Sequence, residues 1–291
     1  MDRTAKLKHR FIKNTLADKL IRNSPGGGRL PYFILLYLTF LSGKDINRTG
    51  LWEIRMKTVI LAAGLGTRIN RNREAIPKPL YEVKGRNLIE HVIFNFKKAG
   101  VTDFVIVVGY MAEKIMRKLE DGSKYGVKIK YVMNYEYHKP LGSSVLCAEP
   151  YVDSEFLLAM SDHLMQAGGI KKIVDHRLEN GTCALLVDKK LNTIFWMDDA
   201  AKVKLDGNKI LSVDKKNTDF QAVDCGAFKC SPVIFEEIKK AGDHPDTISA
   251  AVSTFSRNGK MIAVDIGEYR WVDIDEYEEL EVARDIFKDL S

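Results

Sequence analysis

Cysteine is scarce in this chain, and the few cysteines are scattered. Cys147, Cys183, Cys225 and Cys230 form no CxxC pair and have no histidine partners at metal-ligand spacing. This pattern argues against a zinc site and against a disulfide framework, so we expect isolated, buried thiols. Such thiols are typical of a reducing compartment, and we predict a cytoplasmic protein.

The chain also lacks an apolar run long enough to cross a membrane. The uncharged segment between Arg29 and Lys44 has 14 residues, whereas a spanning helix needs about 20. No small-residue cleavage site typical of a signal peptide precedes Lys44. Two interpretations of residues 1–55 stay open: an interfacial membrane anchor, or a dispensable, poorly ordered extension. We favour the second, because Met56 stands two residues before the first predicted strand and is a natural start.

The body of the chain has no excess of charge of either sign. Residues 1–55 hold 11 Lys and Arg against 4 Asp and Glu, and the other 236 residues hold 34 against 35. A nearly neutral body gives no electrostatic reason to expect nucleic-acid binding. Any membrane contact is expected only through the basic segment. We therefore divide the chain into an N-terminal extension, 1–55, and one domain, 56–291.

Predicted strands and helices alternate in the first half of this domain. Strands are predicted at 58–62, 103–109, 127–133 and 155–161. Helices are predicted at 88–99 and 112–120. Most of the strands are continuous apolar runs, which are typical of strands covered on both faces. The order predicts an α/β fold with a doubly wound, mostly parallel sheet. After residue 180 the strands shorten, which indicates a mixed-sheet extension on the acceptor side of a cleft.

A glycine-containing loop follows the first predicted strand. The segment from Val59 to Arg68 reads VILAAGLGTR, and Gly64 and Gly66 let backbone N–H groups approach a ligand closely. The loop lacks the third glycine of a dinucleotide fingerprint and the lysine of a P-loop, which argues against a dinucleotide-dependent oxidoreductase. Arg68 and Lys78 add positive charge, and prolines on both sides restrict the backbone of Lys78. The sequence therefore predicts a loop that binds nucleotide phosphates.

Three aspartates stand where a divalent cation could be held. Asp162 follows the strand predicted at 155–161, and ligands of open α/β sheets bind outside the carboxyl ends of the strands. Asp273 and Asp275 share one side of an extended segment. Carboxylates so placed suit Mg²⁺ bound against phosphate oxygens, although a turn aspartate and acids preceding a helix are the alternative. We interpret His163 as structural.

Together these motifs resemble the sugar-phosphate nucleotidyltransferases, a family with a GT-A-like, Rossmann-related fold. The family's LAAGxGTR, PKxL, strand-end Asp and W-x-D-x-D/G motifs correspond to Leu61–Arg68, Pro77–Leu80, Ser161–His163 and Trp271–Asp275. The resemblance extends over residues 56–291, with the motifs in the same order. It implies a Mg²⁺-dependent enzyme in which an acceptor phosphate attacks the α-phosphorus of a nucleoside triphosphate and releases pyrophosphate.

The resemblance also implies roles for individual residues. Arg68 and Lys78 would act on the reacting phosphates. The nucleotide would be bound by Leu61, Ala62, Ala63, Gly64, Gly66, Thr67, Gly142 and Ser143. The acceptor would be bound by Lys216, with Lys215 as the alternative, and by Asp224 and Gly226. The metal would be held by Asp162 and Asp275, with Asp273 as the alternative to Asp275.

Within the family, His163 and Asp275 depart from the thymidylyltransferase pattern and look most like CTP:inositol-1-phosphate cytidylyltransferases. This implies transfer of CMP from CTP to a phosphorylated polyol, inositol 1-phosphate, for phospholipid or compatible-solute synthesis. Some of these enzymes carry a fused membrane phosphotransferase domain. We expect none here, so the product would pass to a separate membrane phosphotransferase. Three alternatives stay open: a hexose-1-phosphate nucleotidylyltransferase, a phosphocholine cytidylyltransferase with an aromatic cage, and a non-catalytic nucleotide-sugar sensor. The sensor is disfavoured because the chain keeps the arginine, the lysine and the acids.

Overall fold

The chain separates by its contacts into two units, residues 1–55 and 56–291. The computed structural model describes residues 45–46, 52–53, 56–69, 76–179, 181–242 and 247–287. In the first unit, β1 (Asp45–Ile46) pairs antiparallel with β2 (Trp52–Glu53). The rest of the predicted basic extension lies outside the described residues, so its dispensability stays a prediction.

A mixed sheet of nine strands forms the centre of the described part of the second unit. The strands of the unit are, in chain order, β3 (Lys57–Ala62), β4 (Glu82–Val83), β5 (Arg86–Asn87), β6 (Asp103–Val108), β7 (Lys128–Met133), β8 (Phe156–Met160), β9 (His163–Met165), β10 (Cys183–Asp188), β11 (Lys202–Asp206), β12 (Lys209–Asp214), β13 (Ala222–Cys230), β14 (Met261–Asp265) and β15 (Trp271–Asp273). The spatial order of the sheet is β10-β14-β12-β11-β13-β8-β3-β6-β7. Two short pairs, β4 with β5 and β9 with β15, lie outside it.

The four strands predicted in the first half of the domain form the parallel part of the sheet, and the later strands form a mixed part. β7, β6, β3 and β8 are parallel neighbours, but β13 runs antiparallel to β8. β13 also pairs with β10, so that β10, β14, β12, β11 and β13 form a closed ring of strand pairings. The description "mostly parallel" therefore holds for one half only. After residue 180 a tight hairpin joins β11 to β12, and a hairpin can only make antiparallel pairs.

Helices cover both faces of the sheet. Because successive strand residues point to opposite sides, each central strand contributes to two cores. The helices are α1 (Leu88–Lys98), α2 (Ala112–Leu119), α3 (Leu141–Cys147), α4 (Ala167–Asp175), α5 (Ile234–Ala241), α6 (Thr247–Arg257) and α7 (Tyr277–Ile286). In β3, Ile60 faces a core shared with α1, α2, α4 and α7, whereas Val59 and Leu61 face a core shared with α3, α5 and α6. Among the described residues, none of these helices has the length and apolarity that crossing a membrane requires.

The parallel strands bring the predicted motifs to one edge of the sheet. The backbone N–H of Ser161, which follows β8, donates to the carbonyl of Leu61 in β3 over 3.3 Å. Gly109, which follows β6, packs so closely that a Cβ there would lie 3.0 Å from the carbonyl oxygen of Ala63. The glycine loop after β3 and Asp162 after β8 are therefore neighbours.

We predict that helix α1 contributes strongly to stability through one face. Phe96 is fully buried in the core, whereas Phe94 is half-buried, with the cationic groups of Arg86 and Lys98 each 4.4 Å from its ring centroid. Phe96→Ala should lower the free energy of unfolding by about 3–5 kcal/mol, because it leaves a cavity. Phe94→Ala, the matched control, should cost about 1 kcal/mol. Equal losses in urea unfolding would contradict this packing.

Candidate active site

The carboxyl edge of the parallel strands opens into a cavity of about 890 Å³. Its walls contain the loop after β3, the residues after β8, the segment after β10, and β15. The predicted site residues that line it are Leu61, Ala62, Ala63, Gly64, Gly66, Thr67, Arg68, Lys78, Asp162, Asp224, Asp273 and Asp275. The structure thus brings together, from distant parts of the sequence, most of the residues that the motifs single out.

Two predicted nucleotide-binding residues do not line this cavity. Gly142 and Ser143 lie in the first turn of α3, and Leu141 reaches the cavity instead. The Ser143 hydroxyl accepts a hydrogen bond from the Asn134 side chain at 3.2 Å. Their contact with a nucleotide stays a prediction.

On the acceptor side, Lys215 and not Lys216 lines the cavity. The backbone N–H of Lys216 donates to Asp214 over 2.8 Å, and this turn fixes the direction of the chain here. The ammonium of Lys215 lies 3.8 Å from the Asp199 carboxylate, which also lines the cavity. The structure therefore favours the alternative lysine for contact with an acceptor.

Gly226 lies beneath the site rather than in its wall. It adopts a φ of +76° within β13, and a Cβ there would lie 2.2 Å from Cδ2 of His163. Its N–H donates to the Asp224 carboxylate over 2.6 Å. Only glycine combines this backbone conformation with room for the imidazole ring. Gly226 therefore shapes the site through His163 and not by touching the cavity.

Two cations compensate the carboxylates at the centre of the cavity. The Lys78 ammonium lies 2.6 Å from Asp162 and 2.7 Å from one oxygen of Asp275, and the Arg68 guanidinium lies 2.6 Å from the other oxygen. Burial lowers the pKa of Lys78, but the charges of Asp162, Asp273 and Asp275 outweigh burial and hold that pKa above its ordinary value. Lys78 is therefore a charged group fixed among acids.

His163 joins two of these acids. Its Nδ1 lies 3.0 Å from Asp162 and 3.4 Å from Asp273, and its ring stacks on Trp271 with centroids 6.0 Å apart. Burial lowers the pKa of His163, but the charge of Asp273 and the hydrogen bond to Asp162 raise it to about 9. Burial alone would raise the pKa of Asp162. The charge of Lys78 and the hydrogen bond from His163 outweigh burial and hold that pKa well below its ordinary value. The imidazolium therefore donates to an ionised Asp162.

The donor atoms around Asp162 fit a divalent cation. Asp162, His163 and Asp273 offer ligand atoms within 4.8 Å of one another. One oxygen of Asp273 is buried and, among the described residues, makes no hydrogen bond. That oxygen faces Nδ1 of His163 at 3.4 Å without a hydrogen bond, so a divalent cation would compensate its burial more fully. Burial also raises the pKa of Asp273, which a bound cation would reverse.

Asp275 is not a member of this group. β15 ends at Asp273, so the alternation that the sequence predicts does not continue to Asp275. The backbone N–H of Asp275 donates to Glu279 at the start of α7, and its carboxylate contacts Arg68 and Lys78. The structure therefore groups Asp273, and not Asp275, with Asp162 and His163, and the choice of metal ligand between the two late aspartates stays a prediction.

A second hydrogen-bonded group, absent from the sequence prediction, stabilises the acceptor side. Asp188 is 1% exposed and accepts from Nε1 of Trp271 at 3.0 Å and from the backbone N and Nζ of Lys190, both at 2.8 Å. The Lys190 ammonium also donates to the carbonyls of Gly267 and Tyr269. The available signal was an apolar run ending in Asp, the same pattern that identifies Asp162.

The chain is similar in sequence and in fold to known proteins. Residues 58–202 match the family described as a MobA-like NTP transferase domain. The chain is 28% identical over 227 residues to the bifunctional IPC transferase and DIPP synthase of Aquifex aeolicus, covering 78% of this chain and 50% of that protein. The chain is a sugar-phosphate nucleotidyltransferase. The predicted family and the predicted enzyme class are thereby confirmed.

Two further proteins show the breadth of the similarity. The nucleotidyltransferase is 29% identical over 216 residues to a UTP–glucose-1-phosphate uridylyltransferase of Haloferax volcanii, covering 71% of this chain and 86% of that protein. Its fold matches the inositol-1-phosphate CTP transferase from T. maritima with a TM-score of 0.71 at 24% identity, covering 81% and 96% of the two chains. The chain spans about half the length of the bifunctional relatives it matches.

We predict that Gly226→Ala disturbs the acid cluster through His163. Gly207 provides a matched control, because it also has a positive φ, +58°, but a Cβ there meets nothing within 4 Å. Gly207→Ala should cost about 1–2 kcal/mol of stability from backbone strain alone. Gly226→Ala should cost at least about 1–3 kcal/mol more from overpacking, and the pKa of His163, followed by NMR, should fall from about 9. Equal stability losses with an unchanged His163 titration would contradict this role.

Proposed function

We propose that this nucleotidyltransferase transfers CMP from CTP to a phosphorylated polyol, inositol 1-phosphate, giving CDP-inositol and pyrophosphate. The observation that carries this proposal is the convergence of the glycine loop, Arg68, Lys78 and a carboxylate pair in one cavity. The names of the A. aeolicus and T. maritima relatives support inositol 1-phosphate as the acceptor and CTP as the donor.

The donor triphosphate would lie along the glycine loop. Gly66 has a φ of +59°, a conformation that glycine adopts without strain and that lets the backbone curve around phosphates. Arg68 and Lys78 would contact the reacting phosphates. Both cations contact Asp275 in this structure, so an entering triphosphate would compete with that carboxylate for them.

Catalysis would depend on alignment and charge neutralisation. The acceptor phosphate is already ionised, so its oxygen can attack the α-phosphorus in line with departing pyrophosphate without a general base. Arg68 and Lys78 would stabilise the negative charge that develops on the phosphate oxygens. Mg²⁺ held by Asp162 and Asp273 would supply further positive charge at the same oxygens.

The acceptor would occupy the side of the cavity formed by Asp224 and Lys215. Burial raises the pKa of Asp224 to about 6, against the hydrogen bond from Gly226. Its carboxylate would accept hydrogen bonds from polyol hydroxyls, and Lys215 would attract the phosphate. We further propose that a membrane phosphotransferase consumes the CDP-polyol, on the family resemblance alone.

Phosphocholine is a second candidate acceptor, favoured by the aromatic side chains of the cavity wall. Phe195, Trp196 and Trp271 line the acceptor side together with the acidic Asp199 and Glu268. Aromatic faces with nearby carboxylates suit a quaternary ammonium group. The name of the H. volcanii relative keeps a hexose 1-phosphate as a third acceptor to test.

We predict that the enzyme prefers CTP and inositol 1-phosphate, and pyrophosphate release measures this preference. Each nucleoside triphosphate should be assayed with inositol 1-phosphate, phosphocholine and glucose 1-phosphate in the presence of Mg²⁺. CTP with inositol 1-phosphate should give a kcat/KM at least about 10-fold above every other pair, because a hydroxyl-binding site rejects analogues that leave its polar groups unpaired. A preference for phosphocholine would support the second candidate, and no release with any pair would support the sensor.

We also predict that Asp162→Asn abolishes metal-dependent turnover and leaves the fold intact. The change removes a metal-binding charge, and kcat should fall on the order of 10³-fold or more. Lys78 keeps Asp275 as a partner, so the melting temperature should change little. Asp206→Asn is the matched control, because Asp206 is exposed at the end of β11 and does not line the cavity. Full activity of Asp162→Asn, or unchanged Mn²⁺ affinity in an EPR titration, would refute the assignment.

A further inference from the structure

The cationic side chains that line the cavity differ in what they already bind. Within the described residues, the lysines and arginines of the wall are Arg68, Lys78, Lys190, Lys215 and Arg270. All of them except Arg270 have a carboxylate within 4.0 Å. The ammonium of Lys190 has no proton left for a ligand, because it donates its three protons to Asp188 and to two backbone carbonyls.

The backbone of Arg270 is fixed by hydrogen bonds, whereas its guanidinium is available to a ligand. Its side chain is exposed at the cavity, and no hydrogen bond or ion pair involves its guanidinium among the described residues. Its backbone N–H donates to the Gln166 side chain over 2.9 Å, and the Gln166 N–H donates back to its carbonyl over 3.0 Å. The next residue, Trp271, is held by Asp188. The chain therefore fixes the base of a side chain whose charge is available to a ligand.

The position of Arg270 relates it to the acceptor rather than to the donor. It directly precedes β15, so its Cα lies about 10 Å along an extended chain from that of Asp273, the candidate metal ligand. In the proposed function Arg68 and Lys78, which both contact Asp275 here, would serve the donor phosphates. A guanidinium presents parallel N–H groups that match two phosphate oxygens, whereas the ammonium of Lys215 acts as a point charge.

We propose that Arg270 binds the phosphate of the acceptor and so selects phosphomonoesters. This inference rests on the proposed nucleotidyl transfer to a phosphorylated acceptor, but not on which acceptor is used. Neither the family motifs nor the sequence spacing pointed to this residue. It adds to Lys215 a second cation on the acceptor side, with geometry for two hydrogen bonds.

The test compares Arg270→Gln and Arg270→Lys with wild type in steady-state pyrophosphate release. Arg270→Gln should raise the KM for the acceptor on the order of 10- to 100-fold, because it removes a charge-assisted contact. The KM for the nucleoside triphosphate should stay within about twofold, and Arg270→Lys should restore part of the acceptor affinity. Arg177→Gln is the matched control, since Arg177 is also exposed and does not line the cavity.

Three outcomes would overturn the proposal. An unchanged acceptor KM in Arg270→Gln refutes it, and a raised KM for the triphosphate alone would move Arg270 to the donor. A large fall in the melting temperature of Arg270→Gln would show that its loss of activity comes from a destabilised fold and not from lost phosphate binding.

If wild type turned over no acceptor, the proposed function would fail first. Calorimetric titration with inositol 1-phosphate, in the presence of Mg²⁺ and a non-hydrolysable triphosphate, would then still decide: equal affinity in wild type and Arg270→Gln, or none in either, refutes Arg270 binding.

Discussion

The ammonium of Lys78 holds together a site that would otherwise repel itself. Asp162 and Asp275 approach the same nitrogen at 2.6 and 2.7 Å, and Asp273 adds a further negative charge nearby. Carboxylates brought so close from separate segments need a fixed cation, because an unpaired buried charge costs several kcal/mol. The short turn between Pro77 and Pro79 fixes the lysine backbone before the side chain meets its partners. The turn that carries Lys78, the end of β8 and the segment before α7 are thus joined through one atom.

The sequence predicts those parts of the site that local pattern can indicate. The glycine loop and Asp162 follow apolar runs, and the carboxyl ends of parallel strands share an edge whatever the rest of the chain does. The role of His163 could not be predicted in this way, because it depends on Gly226 in β13, a strand that inserts beside β8 from much later in the chain. The closed ring could not be predicted for the same reason, because β13 pairs with β8 and β10, strands that are distant from it in the sequence.

The two late aspartates show why position along a strand matters more than spacing in the sequence. Asp273 ends β15, and its buried oxygen faces His163 and makes no hydrogen bond among the described residues, whereas Asp275 lies beyond the strand and pairs with cations. One carboxylate is therefore suited to a metal and the other to exchange with an incoming phosphate. In the proposed function the cavity would separate accordingly into a donor wall, whose cations contact Asp275, and an acceptor wall that contains Trp271, held by Asp188.

The closed ring of β10, β14, β12, β11 and β13 also affects how this molecule meets others. Strands in a ring have partners on both sides, so among the described strands of the large sheet β7 alone keeps an open edge. That edge exposes Lys128 and Lys130, and edge lysines oppose the addition of a foreign strand. This sheet therefore has little opportunity to grow by the addition of a strand from another molecule.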